Sequence, residues 1–167
     1  MRSHNDTMEA GCKLKRIFLA AGEIVCPLTP AVVTTVLGSC VSLCLWDPAR
    51  QQGGINHYVL PYGAGNARYG EAANDLLLQA MLARGSTFRI LQAKIFGGAV
   101  TLGGIGEQNI AAALETLRRY NIPLMAQRTG GAHGMLLHFR TDTAEVMLRV
   151  AGGTRRSRSG RRPAGRG

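Results

Sequence analysis

The chain has 167 residues, 46% of them hydrophobic and 22 of them glycine, which fits one ordinary domain with an apolar core and many tight turns and excludes a disordered or fibrous chain. Its formal net charge of +10 is uneven, because Thr154 to Gly167 carries six arginines and no acid and leaves the body only mildly basic. Cys12, Cys26, Cys40 and Cys44 form no CxxC pair and no amino-terminal apolar run ends in a cleavage site, so reduced thiols in a cytoplasm are expected and a metal centre is not.

In chain order, residues 1–13 are polar and unpatterned and are expected to be disordered, and a first strand is expected at Leu14 to Ala20. Ile24 to Trp46 contains no charged residue and is long enough to cross a bilayer, but Pro27, Pro30 and several Ser and Thr interrupt it. Its Val and Thr enrichment reads as buried strands, Val32 to Leu37 and Val41 to Trp46, with a turn at Gly38-Ser39 and no membrane insertion. A strand at Ile55 to Leu60 follows turn signals at Asp47-Pro48 and Gly53-Gly54.

From Glu71 the period lengthens: Ala73, Leu76, Leu77, Ala80 and Met81 mark one face of a helix that Gly85 ends. A strand over Phe88 to Phe96 and a second helix, with Ile110, Ala113, Leu114 and Leu117 on its face, come next. Glu107 early and Arg118 and Arg119 late suit that helix's dipole, and Pro123 bars its continuation. Leu124 to Gln127, Met135 to Arg140 and Glu145 to Val150 read as closing strands, the last two a hairpin.

Strands that outnumber two helices without regular alternation indicate an α+β fold, a layered α/β/β sandwich of mixed sheets with both helices on one side. Its domain spans 14–153. The tail 154–167 cannot bury apolar area and is expected to be disordered; with no aromatic among its arginines, solubility is favoured over nucleic-acid binding.

Chemistry concentrates around Cys40, which follows Gly38 and Ser39 in a turn where backbone N–H groups of Ser39 and Cys40 are able to converge on an oxyanion. His57, seventeen residues on, is the candidate base that makes the thiolate. A lone strand histidine is more often a core residue and a lone cysteine a small hydrophobe, so spacing alone leaves the pair open. Thr34, with the parity of Val32 and Val36, offers a hydroxyl to the second ring nitrogen of His57, although by pattern alone it is better supported as a β-branched strand former. Gly38, Asn56, Gly97 and Gly98 are assigned to the substrate cleft, the last two reading equally well as a plain turn.

Five ordered blocks carry more information: Leu37-Gly38-Ser39-Cys40-Val41; Gly53-Gly54-Ile55-Asn56-His57 with Leu60-Pro61; Arg68-Tyr69-Gly70-Glu71; Ala93-Lys94-Ile95-Phe96-Gly97-Gly98-Ala99; and Ile105-Gly106 with Asn109. In this order and spacing the chain resembles the chemoreceptor glutamine deamidases of the CheD family over roughly 33–150. The resemblance implies a cysteine, histidine and threonine triad on Cys40, His57 and Thr34, a glutamine in the helical signalling region of a methyl-accepting chemotaxis receptor as substrate, and no cofactor. It also implies a layered sandwich related to deamidating bacterial toxins, and a CheC-type phosphatase of the response regulator as a further partner. The same site would suit a glutamate methyl ester, and a non-catalytic binding partner of the phosphatase or receptor is the alternative. Arg128 stands where the family usually has an acidic residue, and Met135 where it usually has an arginine, so partner contacts at that loop are expected to differ.

Overall fold

The computed structural model describes residues 14–151; the segments 1–13 and 154–167, expected to be disordered, lie outside the described residues. The elements run β1 (Lys15–Phe18), β2 (Ile24–Val25), β3 (Ala31–Leu37), β4 (Val41–Asp47), β5 (Gln52–Asn56), α1 (Gly70–Ala83), β6 (Gln92–Gly97), α2 (Ile105–Tyr120), β7 (Leu124–Thr129), β8 (Met135–Arg140) and β9 (Val146–Val150). They form two sheets, one in the order β1-β3-β8-β9 and the other in the order β2-β5-β4-β6-β7. The pairs β1 with β3 and β6 with β7 are parallel and the rest antiparallel, which is the mixed α+β sandwich expected from the sequence. No helix among the described residues is long and apolar enough to cross a membrane, and the uncharged run Ile24 to Trp46 is built into β2, β3 and β4.

Strand β4 explains the layering, because Val41, Leu43 and Leu45 pack with Leu77, Met81 and Leu117 of the helices. Cys44, from the opposite face of β4, packs with Val33, Leu37, Leu137 and Phe139 of the four-stranded sheet. A strand with apolar layers on both sides needs no alternation, which is why this run reads as continuously apolar. The four-stranded sheet has only one covered face: Ala31, Val33, Thr35 and Leu37 of β3 are buried, while Val32 and Thr34 are half-buried and Val36 is exposed.

Several boundaries depart from the sequence reading. Gly53 and Gly54 lie inside β5 instead of in a turn, opposite Trp46 and Leu45. A Cβ on Gly54 would come within 2.8 Å of Leu77 in α1, and one on Gly53 within 2.9 Å of the Thr141 carbonyl, so the absent side chains let neighbours close on both faces. Phe88 precedes β6 and stacks on Tyr120 with ring centroids 4.8 Å apart. Both helices are rotated from the expected faces: α1 buries Asn74 and leaves Leu76 exposed, and α2 buries Asn109 and Thr116 and leaves Leu114 exposed. The cause is a polar seam within the helix layer, in which Asn74 accepts a 2.8 Å bond from Asn56 and donates one of 3.1 Å to Thr116. Hydrophobic periodicity cannot anticipate an amide that is buried because its partners are buried with it.

Replacing Phe139, fully buried between the sheets, with alanine is expected to lower stability by about 3–5 kcal/mol in urea unfolding, because the inter-sheet layer cannot collapse around the lost ring. A loss under about 1 kcal/mol would mean that the sheets do not meet there.

Candidate active site

The segment Gly38 to Cys40 is the crossover from β3 in one sheet to β4 in the other, so the nucleophile candidate sits where the chain changes layers. Just beyond it Val41 and Tyr58 exchange two backbone bonds of 3.1 and 3.0 Å as an antiparallel bridge. Tyr58 and Val41 point into the helix layer. Side chains alternate, so Cys40 and His57 are diagonal neighbours on the other face, with no hydrogen bond between Cys40 Sγ and His57 Nε2. Cys40 is half-buried against the inter-sheet core and His57 is buried.

The hydroxyl that meets His57 belongs to Thr35, not Thr34. Thr35 Oγ1 lies 2.8 Å from His57 Nδ1 and donates its proton to the Leu19 carbonyl at 2.7 Å. A carbonyl only accepts, and the hydroxyl has one proton, so the bond to the ring is Nδ1–H donating to Thr35. His57 is thereby fixed in the tautomer whose Nε2 carries the lone pair, and Nε2 has no hydrogen-bond partner among the described residues. Thr34 has the parity expected of it, but that parity faces outward, where its hydroxyl lies 2.8 Å from His138 Nδ1. The sequence identifies the two faces of β3 without saying which one the second sheet covers.

The electrostatics describe a neutral resting pair. Burial pushes the Cys40 thiol above its ordinary value, opposed by its own backbone N–H and by the charge of Arg68. Burial likewise pushes His57 below its ordinary value, opposed by the Leu19 carbonyl and Glu23. A neutral thiol and a neutral imidazole suit proton transfer at the moment of attack more than a standing ion pair. Cys44 is fully buried with its thiol raised far out of the working range, which leaves it a core residue.

The backbone around Cys40 is clamped on every side but one. The Gly38 carbonyl accepts from Ala99 N–H at 2.9 Å, the Ser39 carbonyl from Asn109 Nδ2 at 2.9 Å and the Cys40 carbonyl from Gly98 N–H at 2.8 Å. The N–H groups of Ser39 and Cys40 donate to no oxygen among the described residues, which leaves both free to hold an oxyanion.

The cleft assignments need correction. Asn56 is fully buried on the helix side, where it accepts from Leu43 N–H at 2.9 Å and donates to Asn74, so it is framework and cannot line a cleft. Gly97 and Gly98 are buried behind the nucleophile turn and not in an open wall; their φ values of 103° and 69° favour glycine, and a Cβ on Gly97 would strike the Cys40 carbonyl. Gly38 is exposed with open space where a Cβ would project, and of the four it alone borders solvent at the site. Met135 is buried in the inter-sheet core, so a partner would meet the exposed Arg128 and not Met135. Thr35 and the Leu19 carbonyl were missed by the sequence reading; the only signal for Thr35 was its parity with Val33 and Leu37. A surface cavity of about 480 Å³, lined by Arg16, His138, Arg140 and Met147 among others, includes none of Cys40, His57 and Thr35.

A family model described as CheD chemotactic sensory transduction matches residues 61–150. The chain is 42% identical over 142 residues to the probable chemoreceptor glutamine deamidase CheD of Rhodospirillum rubrum, an alignment covering 80% of this chain and 81% of that protein. A protein of the same name from Agrobacterium fabrum is 42% identical over 142 residues, covering 79% and 77%, and the probable chemoreceptor glutamine deamidase CheD 1 of Anaeromyxobacter dehalogenans 36% over 143 residues, covering 80% and 84%.

Nitrogen-15 NMR of the histidines is expected to show His57 neutral and protonated on Nδ1 at pH 7, titrating below the ordinary histidine value because burial disfavours its charged form. Thr35→Val should release the tautomer and Thr34→Val should not; an Nε2–H signal in the unaltered protein would overturn the assignment.

Proposed function

The chain belongs to the CheD chemotactic sensory transduction family, and on that premise we propose that it deamidates glutamine side chains of chemoreceptors through a thioester on Cys40. The observation that carries this reading is the tautomer lock: Thr35 holds Nδ1–H of His57, and the unpaired Nε2 lies on the strand face that Cys40 occupies. In the first half-reaction Nε2 takes the thiol proton as Sγ attacks the carboxamide carbon of glutamine, and the amides of Ser39 and Cys40 hold the oxyanion. Collapse of the tetrahedral adduct breaks the C–N bond, with the imidazolium proton passing to the departing ammonia.

In the second half-reaction His57 takes a proton from water, whose oxygen attacks the thioester. The C–S bond then breaks, the proton returns to sulfur, and glutamate is left. Every proton taken by His57 is given back, so the cycle closes without a cofactor. A glutamate methyl ester would follow the same path with methanol as the leaving group. A cytoplasmic site of action accords with the receptor's signalling region as substrate. A CheC-type phosphatase is a second proposed partner, with Arg128 on edge strand β7 as the contact; Arg128→Glu should weaken its retention in a pull-down, and undiminished retention would remove Arg128 from that surface.

Incubated with a recombinant receptor signalling fragment, the protein is expected to add about one dalton per converted glutamine, and Cys40→Ala should add nothing. Thr35→Val should slow conversion roughly 10- to 100-fold while Thr34→Val stays within about twofold, since only the former frees the ring. Full conversion by Cys40→Ala, or equal effects of the two threonine changes, would overturn the mechanism. The rate should fall with acidity only as pH drops through a value below the ordinary histidine one, because protonation of the depressed Nε2 removes the base.

A further inference from the structure

We infer that Asn109 is a positioning residue that aims the Cys40 amide at the oxyanion. Its side chain is fully buried in α2, yet it serves nothing within its own helix. Nδ2 donates to the Ser39 carbonyl at 2.9 Å and to the Val59 carbonyl at 2.8 Å, while Oδ1 has no partner. A buried amide that leaves its acceptor unsatisfied is held for its two donors. Those donors join the residue before the nucleophile to the second residue after the base.

The consequence follows from peptide geometry. The Ser39–Cys40 bond is trans, so its C=O and N–H point in opposite directions. Asn109 draws the Ser39 carbonyl toward α2, and the Cys40 N–H is thereby turned away from the helix layer, to the side where the Cys40 side chain packs. The next peptide is fixed independently, its carbonyl by Gly98 N–H and its Val41 N–H by Tyr58. Asn109 thus sets the one peptide plane that the β-bridge leaves free to rotate. Its own position is fixed by the Tyr58 hydroxyl, which donates to the Asn109 carbonyl at 2.5 Å.

The inference rests on Cys40 as the acylated nucleophile, and two reactions of that sulfur separate positioning from general structure. Acylation by p-nitrophenyl acetate passes through a tetrahedral oxyanion; alkylation by iodoacetamide is a displacement that needs thiolate and no oxyanion hole. Both are followed at Cys40 by peptide mass spectrometry, with thermal unfolding as a control. Asn109→Ala removes the donors, and Asn109→Asp keeps the shape with at most one of them. Either is expected to slow acylation about tenfold or more while alkylation changes less than about threefold. Unchanged acylation, a proportional fall in both reactions, or failure of both variants to fold would overturn the proposal in favour of an architectural Asn109. Neither reaction uses a receptor, so a selective loss of acylation in a protein that converts no receptor glutamine would sink the proposed substrate and leave this inference standing.

Discussion

The two backbone bonds between Val41 and Tyr58 set most of what the site does. They fix which residues of the crossover and of the strand end face each other, and strand alternation then puts Cys40 and His57 on one side and Val41 and Tyr58 on the other. A slip of one residue in that register would send either the sulfur or the imidazole into the helix layer. The bridge is guarded from both directions: Gly98, just after β6, holds the Cys40 carbonyl, and the Glu23 carbonyl, just before β2, holds the His57 amide.

The helix layer is more polar than its job of covering a sheet requires. Asn56 replaces a missing ladder partner for Leu43, Asn74 receives it from α1, and Thr116 completes the connection from α2. A fully connected buried network fixes one arrangement among several that an apolar layer would tolerate. Tyr58 and Asn109 extend the same logic to the crossover at Gly38 to Cys40, so α2 is tied by hydrogen bonds to that turn and to the strand end beside it.

The layered fold was legible because its signals are local: β-branched runs for β3 and β4, the change of period at Glu71, the hairpin of β8 and β9. Cys40 and His57 were singled out by the resemblance to CheD proteins, since their spacing along the chain left the pair open. What stayed hidden depends on which surfaces meet. Thr34 and Thr35 are adjacent, identical and opposite in direction, and only the docking of the five-stranded sheet makes one of them a partner of His57. Asn56 sits beside His57 in a motif, yet its side chain meets Asn74 in the helix layer while that of His57 meets Thr35 in the four-stranded sheet. Leu19 acts through its carbonyl, a group that every residue possesses and no composition reveals.

Because His57 follows a strand of one sheet and Thr35, whose hydroxyl orients its ring, lies in a strand of the other, the fixed tautomer is a property of assembly. A nascent or partly unfolded chain carries His57 as an ordinary histidine, free to exchange its tautomers. The lone pair of Nε2 acquires a fixed direction only when the two layers seat.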